Sequence, residues 1–358
     1  MSPIEHIQAA AKRTAGAILP RLDFKKPVLE ALQIDPSLRT IKKTAPAFRG
    51  VLEIIKGRHN SLVVADDNGR LEGLVTERDY LLKMPITKRK FEAGGSRSAT
   101  IAEIMTPASA LFPVPMTATA LECMQTMRDQ KVRHLPVMHP VIDKISGRQL
   151  PETEGDEVAA VVSTTDLARH IWEVIYKRDG IDEDVTVGDL CELIKAPPYR
   201  DTGWEKFSQA LPLNASVADA VERMRETNFG AVLVSDGINS GSNSFGVFTE
   251  RDLVYNVLPH DEMSPMDMKL SDYSRLVSEE IGYSKRTMES IASDPSTAFR
   301  AWRPDFVTCV LRETLVRDCL SLMLGNGLLY VPVIEKELPV DIITMRDVAM
   351  FLTRETEE

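Results

Sequence analysis

Four short segments of the chain combine a hydroxyl residue with an aspartate three positions later. Each segment follows a short apolar run and leads into an apolar-periodic stretch typical of a helix. A hydroxyl and a carboxylate at this spacing predict a capping box, which satisfies free N–H groups at a helix start and stabilises it by about 1 kcal/mol. The same groups could serve a ligand, because free N–H groups attract anions and a carboxylate accepts hydroxyls. The four pairs are Thr76 with Asp79, Ser163 with Asp166, Thr249 with Asp252, and Thr344 with Asp347.

The four pairs recur at intervals of about ninety residues, which identifies a fourfold internal repeat. Two copies are almost identical, since GLVTERD begins at Gly73 and GVFTERD at Gly246. Each repeat has the pattern helix, strand, strand, helix, with a further strand expected before it. The predicted fold class is therefore α/β (α+β), built from four β-α-β-β-α units.

The repeats alternate in kind along the chain. The first and third carry TERD, whereas the second and fourth have a proline in the second strand, within LPVM and VPVI. This alternation predicts a duplicated pair, in which the first repeat pairs with the second and the third with the fourth. We expect an N-terminal arm and four repeats over residues 1–37, 38–84, 98–177, 184–258 and 268–355.

Composition excludes several classes of protein. The chain has 358 residues, a net charge of −10 and 43% hydrophobic residues, which is typical of a soluble globular protein. The acidity and the lack of a long basic run argue against nucleic-acid binding. No apolar stretch approaches the roughly 20 residues that span a bilayer, so we expect no membrane insertion. No P-loop, dinucleotide fingerprint or nucleophile elbow is present, so we expect no enzyme activity.

The cellular compartment is predicted from the cysteines and the N-terminus. Four cysteines without a CxxC pair suit a reducing compartment, and we expect the cytoplasm. The alanine-rich, mildly basic segment 1–27 leaves a mitochondrial presequence as an alternative to a helical docking arm.

The segments TIAEIMT, KVRHLPVM and GLVTERD resemble the signature of the cystathionine-beta-synthase (CBS) domain. The resemblance covers roughly residues 38–355, with four copies in register. It implies CBS repeats paired as two Bateman modules, which could form a disc within one chain.

The resemblance also implies a ligand and its site. CBS modules often bind adenosyl compounds, so AMP, ADP or ATP is expected, with S-adenosylmethionine as a further candidate. In the family the aspartate commonly binds the ribose hydroxyls, and the hydroxyl residue lies near the phosphate side. The matching residues are Thr76, Asp79, Ser163, Thr164, Asp166, Thr249, Asp252, Thr344 and Asp347.

Basic residues supply candidates for phosphate binding. Arg133 and His134 stand directly before LPVM, where the resemblance implies phosphate contacts. At the matching positions of the fourth repeat stand Leu329 and Tyr330. We therefore predict that the N-terminal module binds the phosphorylated ligand, and that the C-terminal module binds an uncharged adenosyl group or nothing. A hydrogen-bonded histidine at a strand edge is the alternative for His134.

Three further arginines stand immediately before an aspartate of the repeated turn. They could reach phosphate, remain solvated, or pair across the module. These residues are Arg78, Arg251 and Arg346. His134, His139 and Asp143 match no metal-site spacing, so no metal is predicted.

We expect a non-catalytic sensor that controls a separate partner enzyme or channel, with homodimer formation as a further expectation. The alternative is a ligand-free scaffold that assembles a complex through its CBS faces.

Overall fold

The computed structural model describes residues 26–32, 38–57, 60–84, 99–139, 157–173, 185–195, 210–235, 245–259, 265–271, 309–335 and 338–352. Residues 1–25, which hold most of the presequence alternative, lie outside this part of the chain, as does Asp143.

The first repeat shows how the sequence forms the unit. An amphipathic helix buries residues three and four apart, among them Ala47, Val51 and Ile54. A hairpin follows, and its turn needs the positive φ of 83° at Gly69. Its elements are α1 Val28–Leu32 in the preceding arm, then β1 Thr40–Ile41, α2 Ala47–Gly57, β2 Ser61–Ala65, β3 Leu71–Thr76 and α3 Glu77–Lys83.

The other three repeats follow the same order, and the expected first strand is present in each. The second contains α4 Ile101–Ile104, β4 Thr106–Pro107, a 3₁₀ turn Ala108–Ala110, β5 Val114–Pro115, α5 Ala120–Asp129, β6 His134–Met138, β7 Val158–Ser163 and α6 Thr164–Ile171. The third contains α7 Val187–Lys195, β8 Leu211–Pro212, α8 Val217–Thr227, β9 Ala231–Ser235, β10 Phe245–Thr249 and α9 Glu250–Asp252, which continues as a π-helix Leu253–Val257. The fourth contains a 3₁₀ turn Pro265–Asp267, β11 Val310–Leu311, α10 Val316–Gly325, β12 Tyr330–Glu335, β13 Leu338–Thr344 and α11 Met345–Leu352.

Strand pairing establishes which positions of the four repeats are equivalent. In each sheet the first strand runs parallel to the second, and the second pairs antiparallel with the third. The hydroxyl residue ends the third strand and faces the first residue of the second strand. The facing pairs are Ser61 with Thr76, His134 with Ser163, Ala231 with Thr249, and Tyr330 with Thr344. Tyr330 is thus the equivalent of His134, as the prolines predict.

The short helix before each repeat docks on the partner repeat instead of its own. The segment at Ile101 packs on the first repeat, where the Ala47 N–H donates to Ala99 O at 2.7 Å. The segment at Val28 packs in the same way on the second repeat, through Ala118. The same exchange joins α7 to the fourth repeat and residues 265–271 to the third. Each pair of repeats is therefore interlocked. The repeat boundaries given above count residues 98–104 with the second repeat. They stay a sequence-based prediction.

The sheets hold the predicted pairs together. Apolar side chains of β2 and β3 pack on Met138 and Val158, which joins the first repeat to the second. Ala231 and Leu233 pack on Tyr330 and Ile342, which joins the third to the fourth. The A-B-A-B pattern in the sequence therefore predicts the pairing correctly.

The helices join the two pairs to each other. One apolar core contains helices of the first and third repeats, and a second core contains those of the second and fourth. Each repeat thus packs on one neighbour through its sheet and on another through its helices. The four repeats close into a disc, in agreement with the predicted internal disc. Among the described residues, no helix combines the length and apolar character that a membrane span requires.

Candidate functional site

All four hydroxyl–aspartate pairs form the predicted turn. In each, the backbone N–H and the hydroxyl of the Thr or Ser donate to the Oδ2 atom of the aspartate. The N···O distances are 2.8–2.9 Å and the O···O distances 2.6–2.7 Å. One carboxylate oxygen therefore holds the local turn, and what each aspartate offers a ligand depends on its other oxygen, Oδ1.

The Oδ1 atoms of the four aspartates have different surroundings. In the first repeat, Lys83 Nζ and Thr106 Oγ1 donate to Asp79 Oδ1 at 2.7 and 3.0 Å. In the second and fourth repeats, no described residue donates to Oδ1 of Asp166 or Asp347. Within the part of the chain that the structure describes, the acceptor of Asp79 is occupied, whereas those of Asp166 and Asp347 are available.

The third repeat is intermediate between these two arrangements. Its π-helix brings Asn256 Nδ2 to 3.4 Å from Asp252 Oδ1. The Oδ1 atom of Asn256 is buried and has no hydrogen-bond partner among the described residues. Burial raises the pKa of Asp252 to about 6, and it raises the pKa of Asp347 to about 6 as well.

At the centre of the disc, one carboxylate from the third repeat contacts the other three repeats. Arg78 Nη1 lies 3.2 Å from Glu250 Oε2, and Arg133 Nη1 lies 3.0 Å from Oε1. The Tyr330 hydroxyl donates to the same Oε1 at 3.0 Å. The Glu250 side chain is 2% exposed, so its carboxylate is buried, while the two arginines are partly exposed.

A second ion pair mirrors the first. Arg251 Nε lies 3.1 Å from Glu77 Oε1, so the Glu-Arg dipeptides of the two TERD turns pair reciprocally across the disc. Arg251 also donates to Asn60 Oδ1 at 2.9 Å and to Gly327 O at 2.7 Å. We call Glu77, Arg78, Arg133, Glu250, Arg251, Tyr330 and Arg346 the central cluster.

The pKa values of the two glutamates of the central cluster shift in opposite directions. Burial raises the pKa of Glu77, the nearby Glu250 charge raises it further, and the guanidiniums of Arg251 and Arg133 oppose this only in part. Burial also acts to raise the pKa of Glu250, but Arg133 and Arg78 outweigh it, and the pKa lies below its usual value.

Arg346 adds positive charge to the central cluster. No described carboxylate lies within ion-pairing distance of its guanidinium. Burial lowers the pKa of Arg346, and the charges of Arg133 and Arg78 lower it further. The central cluster therefore contains four guanidiniums and two carboxylates, in a chain whose net charge is −10.

His134 lies beside this cluster in the N-terminal module. Burial lowers its pKa to about 4, and the adjacent Arg133 charge contributes, so the imidazole is neutral at pH 7. The Nε2 atom is buried without a hydrogen-bond partner among the described residues. The strand-edge alternative leaves this orphaned nitrogen unexplained, because that interpretation required a hydrogen bond.

A model of the CBS domain matches residues 30–85, 101–173, 209–258 and 303–354. The chain belongs to the CBS domain family. The four matched regions agree with the four repeats, and the disc joins them as two Bateman modules.

Two curated proteins resemble parts of the chain. The CBS domain-containing protein CBSX3, mitochondrial, of Arabidopsis thaliana is 37% identical over 92 residues, which are 26% of this chain and 40% of the plant protein. An uncharacterized 17.7 kDa protein of Acidianus ambivalens is 26% identical over 140 residues, covering 39% of this chain and 63% of that protein. The chain thus spans less than two thirds of either relative.

A solved structure shares the whole architecture. Protein MJ1225 of Methanocaldococcus jannaschii, described as a proposed archaeal homologue of g-AMPK, superposes with a TM-score of 0.62. The match covers 91% of this chain and 99% of that chain at 14% sequence identity. At this identity the similarity shows the fold alone.

The structure brings the predicted phosphate residues of this CBS protein together. Arg78, Arg133, Arg251 and Arg346 come from four different repeats and meet in the central cluster, with His134 beside it. Arg78 and Arg251 each pair with a glutamate of the other module, whereas the sequence-based alternatives were phosphate contact, solvation or pairing across the module. Arg133 lies at the boundary between the modules, because its partner Glu250 belongs to the C-terminal one.

Sequence reasoning overlooked the glutamates of the TERD turns, as well as Lys83 and Asn256. For Glu77 and Glu250 a signal was present, since two buried turns that repeat both Glu and Arg can pair reciprocally. For Lys83 the four-residue spacing from Asp79 on a helix was a second signal. Tyr330, read as a loss of charge, in fact donates a hydrogen bond to the central carboxylate. Within the described residues, no group of three His, Cys, Asp or Glu side chains could hold a metal ion.

Proposed function

We propose that this chain is a non-catalytic regulatory protein that binds an adenine nucleotide between its paired CBS repeats and controls a separate partner enzyme or channel. AMP, ADP and ATP are the ligands that the site supports best. The observation that carries the proposal is that four guanidiniums lie together in the central cluster of a CBS disc. The Asp166 and Asp347 Oδ1 atoms, which accept from no described residue, supply the second feature. A nucleotide needs both features, since its ribose offers hydroxyls and its phosphates carry negative charge.

The sugar side of the proposed site uses the repeated turns. Asp166 and Asp347 each keep Oδ1 available while Oδ2 holds the turn. A carboxylate in this state can accept hydroxyl groups without giving up its local structural role. Thr164 is less suited to contact the ligand directly, because its side chain is buried against Met127 and Arg133 O.

The phosphate side uses the central cluster and His134. Arg346 forms no direct ion pair within the described residues, although the Asp347 charge acts on it, and a phosphate would supply a direct partner. His134 Nε2 is an orphaned buried atom, and a ligand group at that position would satisfy it. The N-terminal module, which contributes Arg133 and His134, is thus the proposed first site for a phosphorylated ligand.

The same arrangement offers a way to transmit binding. All four repeats contribute to the central cluster, so a phosphate that draws its arginines changes the contacts between repeats. Binding shifts the disc between two arrangements only if the ligand has different affinities for them. A partner that contacts the disc would sense that shift.

A ligand-free scaffold is the second candidate function, and packing in the C-terminal module favours it there. Tyr330 packs edge-on against Phe229 with a centroid distance of 5.5 Å. Gly230 is also enclosed, because a Cβ there would lie within 2.6 Å of the Glu250 carboxylate. Side chains thus fill space that a ligand of this module would need.

Calorimetric titration of AMP, ADP, ATP and S-adenosylmethionine separates the two functions. We expect micromolar binding of a phosphorylated nucleotide, about −8 kcal/mol. Asp166→Ala should abolish this binding. Asp79→Ala is the matched control, because the Oδ1 of Asp79 already accepts from Lys83 and Thr106. Its expected effect on affinity is less than about threefold, roughly 0.7 kcal/mol.

Two results would contradict the proposal. Folded protein, free of retained nucleotide, that binds none of the four compounds would favour the scaffold. Equal losses in both variants would place the sugar site elsewhere. Homodimer formation, the partner and the compartment stay predictions, with the cytoplasm expected and the mitochondrion as the alternative.

A further inference from the structure

The Glu250 carboxylate contacts a side chain from each of the other three repeats. Its contacts come from Arg78 in the first repeat, Arg133 in the second and Tyr330 in the fourth, at 3.2, 3.0 and 3.0 Å. Its backbone N–H donates to Gly230 O at 2.8 Å, so the position of the residue is set within its own repeat.

The groups around Glu250 are those that bind phosphate in proteins. Guanidiniums donate to phosphate oxygens as they do to carboxylate oxygens, and a tyrosine hydroxyl is an additional donor. Two of the arginines predicted to bind phosphate are therefore already engaged by an internal anion. A phosphorylated ligand must share them with Glu250 or take them from it.

We propose that Glu250 is an affinity-determining residue that competes with the ligand phosphate for Arg78 and Arg133. The inference rests on the proposed function, since it specifies what sets the affinity of that same site. Glu250 makes no contact with the ligand in this account. It weakens binding by neutralising the arginines and by repelling the incoming charge.

The charges around Glu250 allow such an exchange. Arg346 lies close enough to feel the charges of Arg78 and Arg133. Two guanidiniums thus contact one carboxylate and a third lies near them, so an incoming phosphate meets positive charge beside Glu250. Arg78 also keeps a second anchor, because its Nη2 donates to Asn228 Oδ1 at 2.8 Å. Withdrawal of Glu250 therefore leaves Arg78 held in place for the ligand.

Competition at Glu250 would also couple binding to the arrangement of the repeats. The contacts that the phosphate breaks are those that connect the third repeat to the first, second and fourth. A ligand that lacks phosphate leaves them intact. The residue therefore makes the response of the disc depend on phosphate.

The test compares wild type with Glu250→Gln, which keeps the shape and removes the charge. Calorimetry with AMP, adenosine and inorganic tripolyphosphate measures affinity. We expect Glu250→Gln to bind AMP and tripolyphosphate at least tenfold more tightly, with the affinity for adenosine unchanged. Glu77→Gln is the matched variant, and its gain should be below threefold, because Arg251 keeps Asn60 and Gly327 as acceptors.

If Glu250→Gln fails to fold, a second variant still tests the competition. Tyr330→Phe removes one hydrogen bond from Glu250 and leaves every charge in place, so a smaller gain of about two- to fourfold is expected. Thermal unfolding of all variants with and without tripolyphosphate adds a readout of occupancy. The stabilisation by tripolyphosphate should be largest in Glu250→Gln.

The outcomes separate this inference from the proposed function. If wild type binds AMP and both Glu250→Gln and Tyr330→Phe bind it equally well or more weakly, the competition is disproved and the sensor function stands. If no protein binds AMP but tripolyphosphate binds Glu250→Gln alone, the competition is supported and the nucleotide function fails. Absence of binding by all ligands to all folded variants would overturn both.

Discussion

The two TERD turns of the disc, at Thr76–Asp79 and Thr249–Asp252, share four residues and differ in electrostatics. The pKa of Glu77 is raised by burial, whereas two arginines hold the pKa of Glu250 below its usual value. Glu250 contacts Arg133, which belongs to the second repeat. The equivalent position of the fourth repeat holds Leu329, which carries no charge. Identical local sequence therefore has different charge properties because other repeats place different charges beside each glutamate.

The aspartates of the same two turns differ as well. Lys83 occupies Asp79 Oδ1, while the equivalent position in the third repeat is Asn256. A charged partner contacts the first carboxylate at 2.7 Å, and an amide lies 3.4 Å from the second. The two TERD turns thus differ at their aspartates. Both oxygens of Asp79 accept hydrogen bonds, whereas burial raises the pKa of Asp252 to about 6.

The largest expected effect tests the glutamate comparison directly. Glu250→Ala should destabilise the chain by about 3–5 kcal/mol, because it leaves Arg78 and Arg133 without their buried partner. Glu77→Ala should cost less than half as much, since it removes the carboxylate of one arginine instead of two, and Arg251 retains two other acceptors. Urea unfolding of both variants gives the free energies. Equal losses would show that the two turns are energetically equivalent despite the extra arginine.

A steric change at Gly230 tests how closely the third repeat packs around Glu250. The equivalent position of the first repeat holds Asn60, which has a side chain. An added Cβ would come within 2.6 Å of the Glu250 carboxylate and closer still to the Tyr330 hydroxyl. We expect Gly230→Ala to lower stability by about 1–3 kcal/mol through overpacking. Gly325→Ala is the control, since a Cβ there meets nothing within 4 Å. Thermal unfolding that ranks Gly325→Ala as the worse variant would contradict the crowded centre.

The smallest effect concerns the pH dependence of stability and compares partly buried capping turns with an exposed one. The pKa of Asp252 and Asp347 is about 6 in the folded protein, above the usual value of about 3.9 for an unfolded chain. The folded state therefore binds these protons more readily, and their contribution makes the chain more stable as pH falls from 7 toward 4. Asp252→Asn should remove up to roughly 2 kcal/mol of this pH dependence.

The control for the pH experiment is Asp219→Asn, which alters an exposed capping turn at Ser216. Unfolding between pH 5 and 8 is the relevant window, because the stabilising contribution of Glu250, whose pKa is lowered, is lost only at lower pH. A wild-type slope that persists unchanged in Asp252→Asn would assign the pH dependence to other groups.

Much of the fold could be predicted from local patterns. The β-α-β-β-α order follows from apolar periodicity, the hairpin from the turn at Gly69, and the pairing of repeats from the alternation of TERD with the proline strands. The exchange of short helices between partners could not be predicted in this way. The helix at Ile101 follows the first repeat and precedes the second, and its sequence is compatible with packing on either.

Only part of the candidate site was predictable. The cations Arg78, Arg133, Arg251 and Arg346 were identified, but their counter-ions were not. Arg78 pairs with a glutamate of the third repeat, far along the chain. Sequence spacing carries no information about such a distance, whereas the reciprocal Glu-Arg dipeptides indicated that a pairing existed.

The sequence by itself determined the four turns, because a hydroxyl and a carboxylate three residues apart satisfy each other within one helical turn whatever surrounds them. The tertiary structure alone decided which carboxylate oxygens remain available and in which direction the pKa of each glutamate shifts. Those properties depend on burial and on the charges that other repeats bring within a few ångströms. Such proximity arises only when the four repeats close into the disc.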